Sequence, residues 1–180
     1  MKRESSTDRY GRLSIVMHWS MVLLFIGIYA CVEWRDALPK GHALKGPLLG
    51  FHGLLGLAVF ALVWVRLLGR LAPRPPIRPR PAAWQNAVAS LTHLGLYGLM
   101  IVTPVLAWLM LGAAGKPLPY WDIALPAPIA EAPALARQLK GWHEWLGSAG
   151  YWLIGLHALA ALVHHYWLKD NTLKRMLPGG

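Results

Sequence analysis

Four stretches of the chain carry no charged side chain, and each is long enough to cross a membrane. They cover residues 13–32, 46–65, 81–115 and 145–168, bounded by Arg12 and Glu33, Lys45 and Arg66, Arg80 and Lys116, and Glu144 and Lys169. In the third stretch the apolar part runs from about Leu91 to Ala113. A hydrocarbon core about 30 Å thick needs roughly 20 apolar residues as a helix. Helices also satisfy their own backbone groups where no water can. The pattern predicts an all-α, integral membrane four-helix bundle with spans at about 13–32, 46–65, 91–113 and 145–168. It is a single domain over residues 1–180, with no internal repeat and no coiled-coil heptads. Four core helices of a water-soluble protein would need polar surface to cover them, and the chain has too little. The first apolar run is too long for a cleavable signal and no small-residue cleavage site follows it, so it reads as a span that is retained.

Composition agrees with this pattern. Hydrophobic residues make up 56% of the chain and charged ones 14%, against about 25% charged in an ordinary soluble domain. The net charge of +10 suggests nucleic acid until the charges are placed. On one side lie Lys2, Arg3, Arg9, Arg12, the central loop residues Arg66, Arg70, Arg74, Arg78 and Arg80, and the C-terminal Lys169, Lys174 and Arg175. The other side carries Arg35, Lys40, Lys45, Lys116, Arg137 and Lys140, nearly balanced by acids. By the positive-inside rule both termini are cytoplasmic, and the charge is a topology signal rather than a nucleic-acid footprint. Arg70 to Pro81 is rich in Pro and Arg and reads as an extended connector. The proline-rich segment Lys116–Lys140 forms the longest outer loop. Trp34, Trp121, Trp142 and Trp145 fall near the outer interface and Trp64, Trp84 and Trp167 near the inner one, as anchoring belts do. The single Cys31 closes no intrachain disulfide.

Ionisable residues inside spans are costly and mark function. Here they are histidines: His18 in the first span, His52 in the second, His93 at the start of the third, and His143, His157, His164 and His165 on the fourth, with His42 in the outer loop. His143 and His157 are 14 residues apart, about 21 Å along a helix and within roughly 40° of one direction. His164, seven residues on, points the same way. Gly150, midway between the first two, keeps that face free of bulk. Neutral imidazole is a good iron ligand, and bundle cores hold cofactors between facing helices. Two stacked b-type haems, each held by two histidines, account for the arrangement. By depth His52 matches His143. The partner of His18 is His157 or His164, and depth slightly favours His164.

Other chemistries lack their motifs. There is no Cys-x-x-Cys-His, so the haem is non-covalent. His143-Glu144 lacks the second histidine of a zinc-protease helix. No glycine-rich phosphate loop occurs, and no carboxylate pair lies in the membrane interior.

The chain resembles the bacterial cytochrome b561 family, in its superoxide oxidase branch. The resemblance rests on Met17-His18-Trp19, the His52-Gly53 region, Arg66-Leu67-Leu68, and His93 with Tyr97 and Pro104. It is strongest in the C-terminal third: Leu139-Lys140-Gly141-Trp142-His143-Glu144, Gly150-Tyr151, Ile154-Gly155-Leu156-His157-Ala158, His164-His165-Tyr166 and Lys169-Asp170-Asn171-Thr172-Leu173. It covers essentially the whole chain. The family implies two b haems, one held by His18 and His157 and the other by His52 and His143. For the inner pair this goes against the depth match, and a fourth helix continuing through Lys169 would remove the conflict. In this branch superoxide outside reduces the outer haem, electrons pass to the inner haem, and ubiquinone becomes ubiquinol in a bacterial inner membrane, with no protein partner required.

The residues make physical sense of that reaction. Lys40, His42 and Lys45 precede His52, and Arg137 and Lys140 precede His143, so these basic residues are expected to steer the anion or to bind propionates and lipid headgroups. Quinone reduction consumes protons, which makes His164 and His93 candidates near the inner side, whereas His165 points about 100° away. Arg66 is either a propionate partner or a positive-inside anchor. The competing reading is an electron-carrying cytochrome b subunit that serves a dehydrogenase or hydrogenase.

Overall fold

The computed structural model describes residues 9–71, 75–118, 125–126 and 128–178. Its four long helices are α1 (Arg12–Ala37), α2 (Lys45–Gly69), α3 (Ala83–Ala113) and α4 (Pro133–Tyr166), and a 3-10 turn follows at Lys174–Met176. All four are long and apolar enough to cross a membrane. No strand is assigned among the described residues.

The first two helices run past both ends of their expected spans, α3 starts earlier and ends at Ala113 as expected, and α4 starts earlier and stops at Tyr166, two residues short of its expected end. The reason is local. At α3 the side chain of Gln85 accepts the N–H of Ala82 at 2.7 Å, which starts the helix two turns before its apolar part. At α4, Pro133 occupies the first turn, where its missing N–H costs nothing. His93 and His143 therefore stand well inside their helices rather than at the ends. Trp121 and Arg74 lie outside the described residues.

The expected continuation of α4 through Lys169 does not occur. The helix ends at Tyr166, and the N–H groups of Trp167 and Leu168 bond to the Val163 carbonyl at 2.9 and 3.0 Å. Lys169 takes a left-handed φ of 53°, which reverses the chain, and the Asp170 N–H bonds to the His164 carbonyl at 3.0 Å. The turn at Lys169 sends the C-terminal segment back beneath the bundle.

That segment stitches one end of the molecule together. Trp19 Nε1 donates to the Met176 carbonyl at 2.7 Å, and the Tyr10 N–H donates to the Arg175 carbonyl at 3.2 Å. Arg175 is buried; its guanidinium donates to the Pro75 carbonyl and lies 4.9 Å from the Tyr10 ring centroid. Asn171 Oδ1 accepts the Arg78 N–H at 2.8 Å. The described N-terminal residues, the α2–α3 connector and the C-terminal segment thus share one end, as the charge count requires. We call it the basic end.

Packing is mainly α1 on α2 and α3 on α4, with α2 against α3. A core of Met21, Val59, Val63, Tyr97 and Met100 lies toward the basic end, and a smaller one of Ala113, Ala136 and Leu139 lies at the other. Large apolar side chains such as Leu23, Leu68, Leu94 and Leu159 face outward. A soluble monomer rarely shows so much apolar surface, and four helices able to cross a membrane account for it. Across the middle, the Tyr29 hydroxyl donates to the Gly147 carbonyl at 2.8 Å and lies against Gly150, where a Cβ would collide with it. The space at Gly150 is filled by Tyr29. It is not left open.

Candidate functional site

The histidines of α4 meet partners at two levels of the bundle. Toward the end opposite the basic one, His52 of α2 faces His143 of α4, with ring centroids 6.0 Å apart and planes at 78°. His52 Nδ1 donates to the Ile28 carbonyl of α1 at 3.2 Å. His143 Nδ1 donates to the Thr103 carbonyl of α3 at 3.0 Å. A carbonyl can only accept, so each Nδ1 carries the proton and each Nε2 lone pair is left free. A backbone carbonyl that orients a ligating imidazole in this way fixes its tautomer. All four helices build this level: two supply rings and two supply the carbonyls that hold them. Beside Thr103, Pro104 interrupts the α3 hydrogen-bond ladder.

Nearer the basic end, His18 of α1 faces His157 of α4 at 6.2 Å and 77°. His93 of α3 lies 5.4 Å from His157, and Arg66 of α2 places Nη2 3.0 Å from His18 Nδ1. These four side chains, with Tyr97, Tyr29 and Tyr151, line a cavity of about 510 Å³, within the range of small-molecule sites. His18 is therefore beside His157. His164, the partner that depth alone slightly favours, is elsewhere.

His164 closes α4 and pairs with Asp170, Nδ1 to Oδ2 at 2.5 Å. The two quinone candidates are thus separated: His93 stands in the cavity and His164 at the basic end. His165 turns its ring to Tyr166 at 4.7 Å. Of the four basic residues expected to meet an anion, Lys40, Arg137 and Lys140 are exposed and Lys45 is half-buried. Lys140 is paired with Glu144 one turn on. Arg66 contacts His18 and lines the cavity. Ile28 and Thr103 escaped sequence reasoning because they act through backbone carbonyls, and Asp170 because its role depends on the turn at Lys169.

The model of the prokaryotic cytochrome b561 family matches residues 9–179. The chain belongs to the prokaryotic cytochrome b561 family. It is 36% identical over 171 residues to a probable superoxide oxidase CybB of Yersinia pestis, covering 94% of this chain and 96% of that one. It is 35% identical over 173 residues to cytochrome b561 homolog 1 of Escherichia coli strain K12, covering 95% and 98%. It is 32% identical over 181 residues to cytochrome b561 homolog 2 of the same organism, covering 98% and 95%. Membership makes this a multi-pass membrane protein of electron transport with b-type haem.

The residues present fit that group. Among the described residues no cluster of three or more His, Cys, Asp or Glu could hold a bare metal ion. A porphyrin supplies four donors of its own, so two imidazoles suffice. An iron between two imidazoles sits about 2 Å from each nitrogen and holds the ring centres about 6 Å apart. Both facing pairs have that separation.

Proposed function

We propose that this cytochrome b561 is a di-haem superoxide:ubiquinone oxidoreductase. His18 with His157, and His52 with His143, would hold two non-covalent b haems. The observation that carries the reading is the pair of facing imidazole couples at two depths on one helix, which makes a two-step ladder across a membrane. The probable superoxide oxidase among its relatives supplies the substrate class. When bound, each haem takes up and releases one electron at its iron.

The chain's own residues do the rest. The single domain lies in the bacterial inner membrane with the basic end cytoplasmic, because twelve Lys and Arg on that side against six on the other follow the positive-inside rule. Lys40, Lys45, Arg137 and Lys140 then stand on the periplasmic side, where they raise the local concentration of an anion near His52 and His143. Lipid covers the outward leucines. The Ile28 and Thr103 carbonyls keep both outer imidazoles in the ligating tautomer. Oxidation of superoxide to dioxygen releases one electron and no proton, so the outer side needs no general acid. Two superoxide ions, one ubiquinone and two protons give two dioxygen molecules and one ubiquinol, and the protons enter at the cytoplasmic side.

The test is turnover by purified protein in liposomes, supplied with an enzymatic superoxide source and a soluble ubiquinone. Ubiquinol accumulation without any second protein is expected. Haem reduction that occurs only with a co-purifying dehydrogenase or hydrogenase would replace this reading with that of an electron-carrying subunit.

A further inference from the structure

The cavity beside His18 and His157 opens to one side. On α1 its mouth is lined by Val22 and Ile26, and on α4 by Ile154 and Gly155. Ile26 is 61% exposed, and Gly155 is exposed with nothing within 4 Å of an added Cβ. Both residues lie inside uncharged spans. The cavity therefore meets the surface between α1 and α4 at membrane depth, at neither end of the bundle.

The other approaches are closed among the described residues. α1 packs on α2, α2 on α3 and α3 on α4, whereas α1 and α4 share no such packing. At the basic end Trp19 is bonded to the Met176 carbonyl and Arg175 is buried. At the opposite end the buried Leu118 sits against Gly53, beside the core of Ala113, Ala136 and Leu139. The groove between α3 and α4, which holds Gly95 and Gly98, is lined by no histidine. What closes the α1–α4 seam is a pair of tyrosines on the cavity wall. The Tyr29 hydroxyl donates to the Gly147 carbonyl at 2.8 Å, the Tyr151 hydroxyl donates to the Glu33 carboxylate, and the two rings lie 4.1 Å apart between centroids.

We propose that the α1–α4 seam is the entry site through which haem, a flat and largely apolar macrocycle dissolved in the bilayer, reaches His18 and His157 sideways. Tyr29 and Tyr151 form the clasp that closes behind it. This rests on the reading above that the inner couple holds a haem. An apolar ring that passes from lipid into a cavity walled by Val22, Phe25, Ile26 and Ile154 never crosses water. Entry at the basic end would mean undoing the stitched C-terminal segment. Opening the seam asks less, because among the described residues no backbone hydrogen bond joins α1 to α4. The two tyrosine hydroxyls let go, the helices part, and each helix keeps its own ladder intact.

Haem leaves by the route it enters, so release from the holoprotein is the test. Holoprotein in lipid nanodiscs is mixed with excess apomyoglobin, and haem transfer is followed by the Soret band. The phase that persists in His52→Ala belongs to the inner haem. Tyr29→Phe and Tyr151→Phe are each expected to speed that phase about fivefold, as the loss of one hydrogen bond implies, and to leave the outer haem alone. Gly155→Leu fills the mouth and is expected to slow the inner haem about fivefold or more. Gly98→Leu makes the same change in the α3–α4 groove, where an added Cβ also meets nothing, and should leave release unchanged. A general loss of stability speeds both haems and slows neither, so the opposite signs separate an entry site from a merely structural clasp. If Gly155→Leu does not assemble, Ile26→Trp fills the mouth from α1 in its place. Equal release from all variants, faster release of both haems, or slowing by Gly98→Leu would overturn the entry site and leave the haem site standing. A purified protein whose full haem content survives in His157→Ala would overturn the inner haem site itself.

Discussion

The guanidinium of Arg66 stands 3.0 Å from Nδ1 of His18. A guanidinium only donates, so this nitrogen accepts and the ring proton lies on Nε2. An imidazole that offers Nε2 to iron carries its proton on Nδ1. The two arrangements exclude each other, so on the proposed ligation Arg66 would turn away from His18 when the inner site is filled.

On that reading Arg66 remains a cation beside the inner haem. A nearby positive charge favours the reduced state, so Arg66→Met is expected to lower the inner potential by roughly tens of millivolts and to leave the outer one alone. A spectroscopic redox titration checks this. An unchanged or raised inner potential would show that the charge does not act on the haem.

The two imidazole couples should be separable by mutation. His52→Ala or His143→Ala should halve the haem content by removing the outer haem, and His18→Ala or His157→Ala should do so by removing the inner one. His93→Ala should retain both. Pyridine haemochrome assays give the stoichiometry, and loss of a haem in the His93 variant would mean that the ligand set is misassigned.

Gly150 is required by Tyr29. An alanine there meets the Tyr29 hydroxyl and Leu99 and is expected to destabilise by about 1–3 kcal/mol, the usual range for overpacking. Gly141, also in α4, has nothing within 4 Å of the same added atom. Gly141→Ala should be neutral or gain up to about 1 kcal/mol from helix propensity. Thermal unfolding in detergent separates the two, and equal behaviour would mean that α4 adjusts freely around Tyr29.

Asp170 predicts an acid sensitivity. Its folded-state pKa is depressed, so its contribution to stability is present above the ordinary carboxylate value, about 3.9, and is lost as pH falls through the folded value. The stability gap between wild type and Asp170→Asn should hold between pH 5 and pH 6 and shrink below pH 4. A gap that widened in acid would reverse the sign of this argument.

Anion steering should respond to salt. Raising ionic strength from about 10 mM to about 200 mM shortens the screening length several-fold and should slow superoxide-driven haem reduction several-fold. Because Lys140 is paired with Glu144, Arg137→Gln should cost more than Lys140→Gln. Stopped-flow rates over a salt series measure both, and a flat profile would remove steering from the mechanism.

The helices were legible because a membrane span leaves a one-dimensional trace, an uncharged run of set length. The four facing histidines were legible for a similar reason: ionisable rings inside apolar runs have few other uses, and one helix repeats them on one face. What stayed hidden depends on three dimensions. Depth counting misjudged the partner of His18 because it measured α4 from Lys169, whereas the helix ends at Tyr166, short of that charge, and the shorter end brings His157 to the depth of His18. The carbonyls of Ile28 and Thr103 have no residue type to betray them. The end of α4 was missed because Leu168-Lys169-Asp170 contains no Gly or Pro, and it is Lys169 itself that takes the left-handed turn.

α4 supplies one ring to each imidazole couple, and the segment after it closes the basic end by way of Arg175. Both features lie after the first three helices in the chain and leave the ribosome later than those do. Neither couple can exist until the fourth helix has entered the bilayer, so on the proposed ligation cofactor loading has to wait for that helix. A ribosome that stops before His143 releases three membrane helices with no facing imidazole couple at either level.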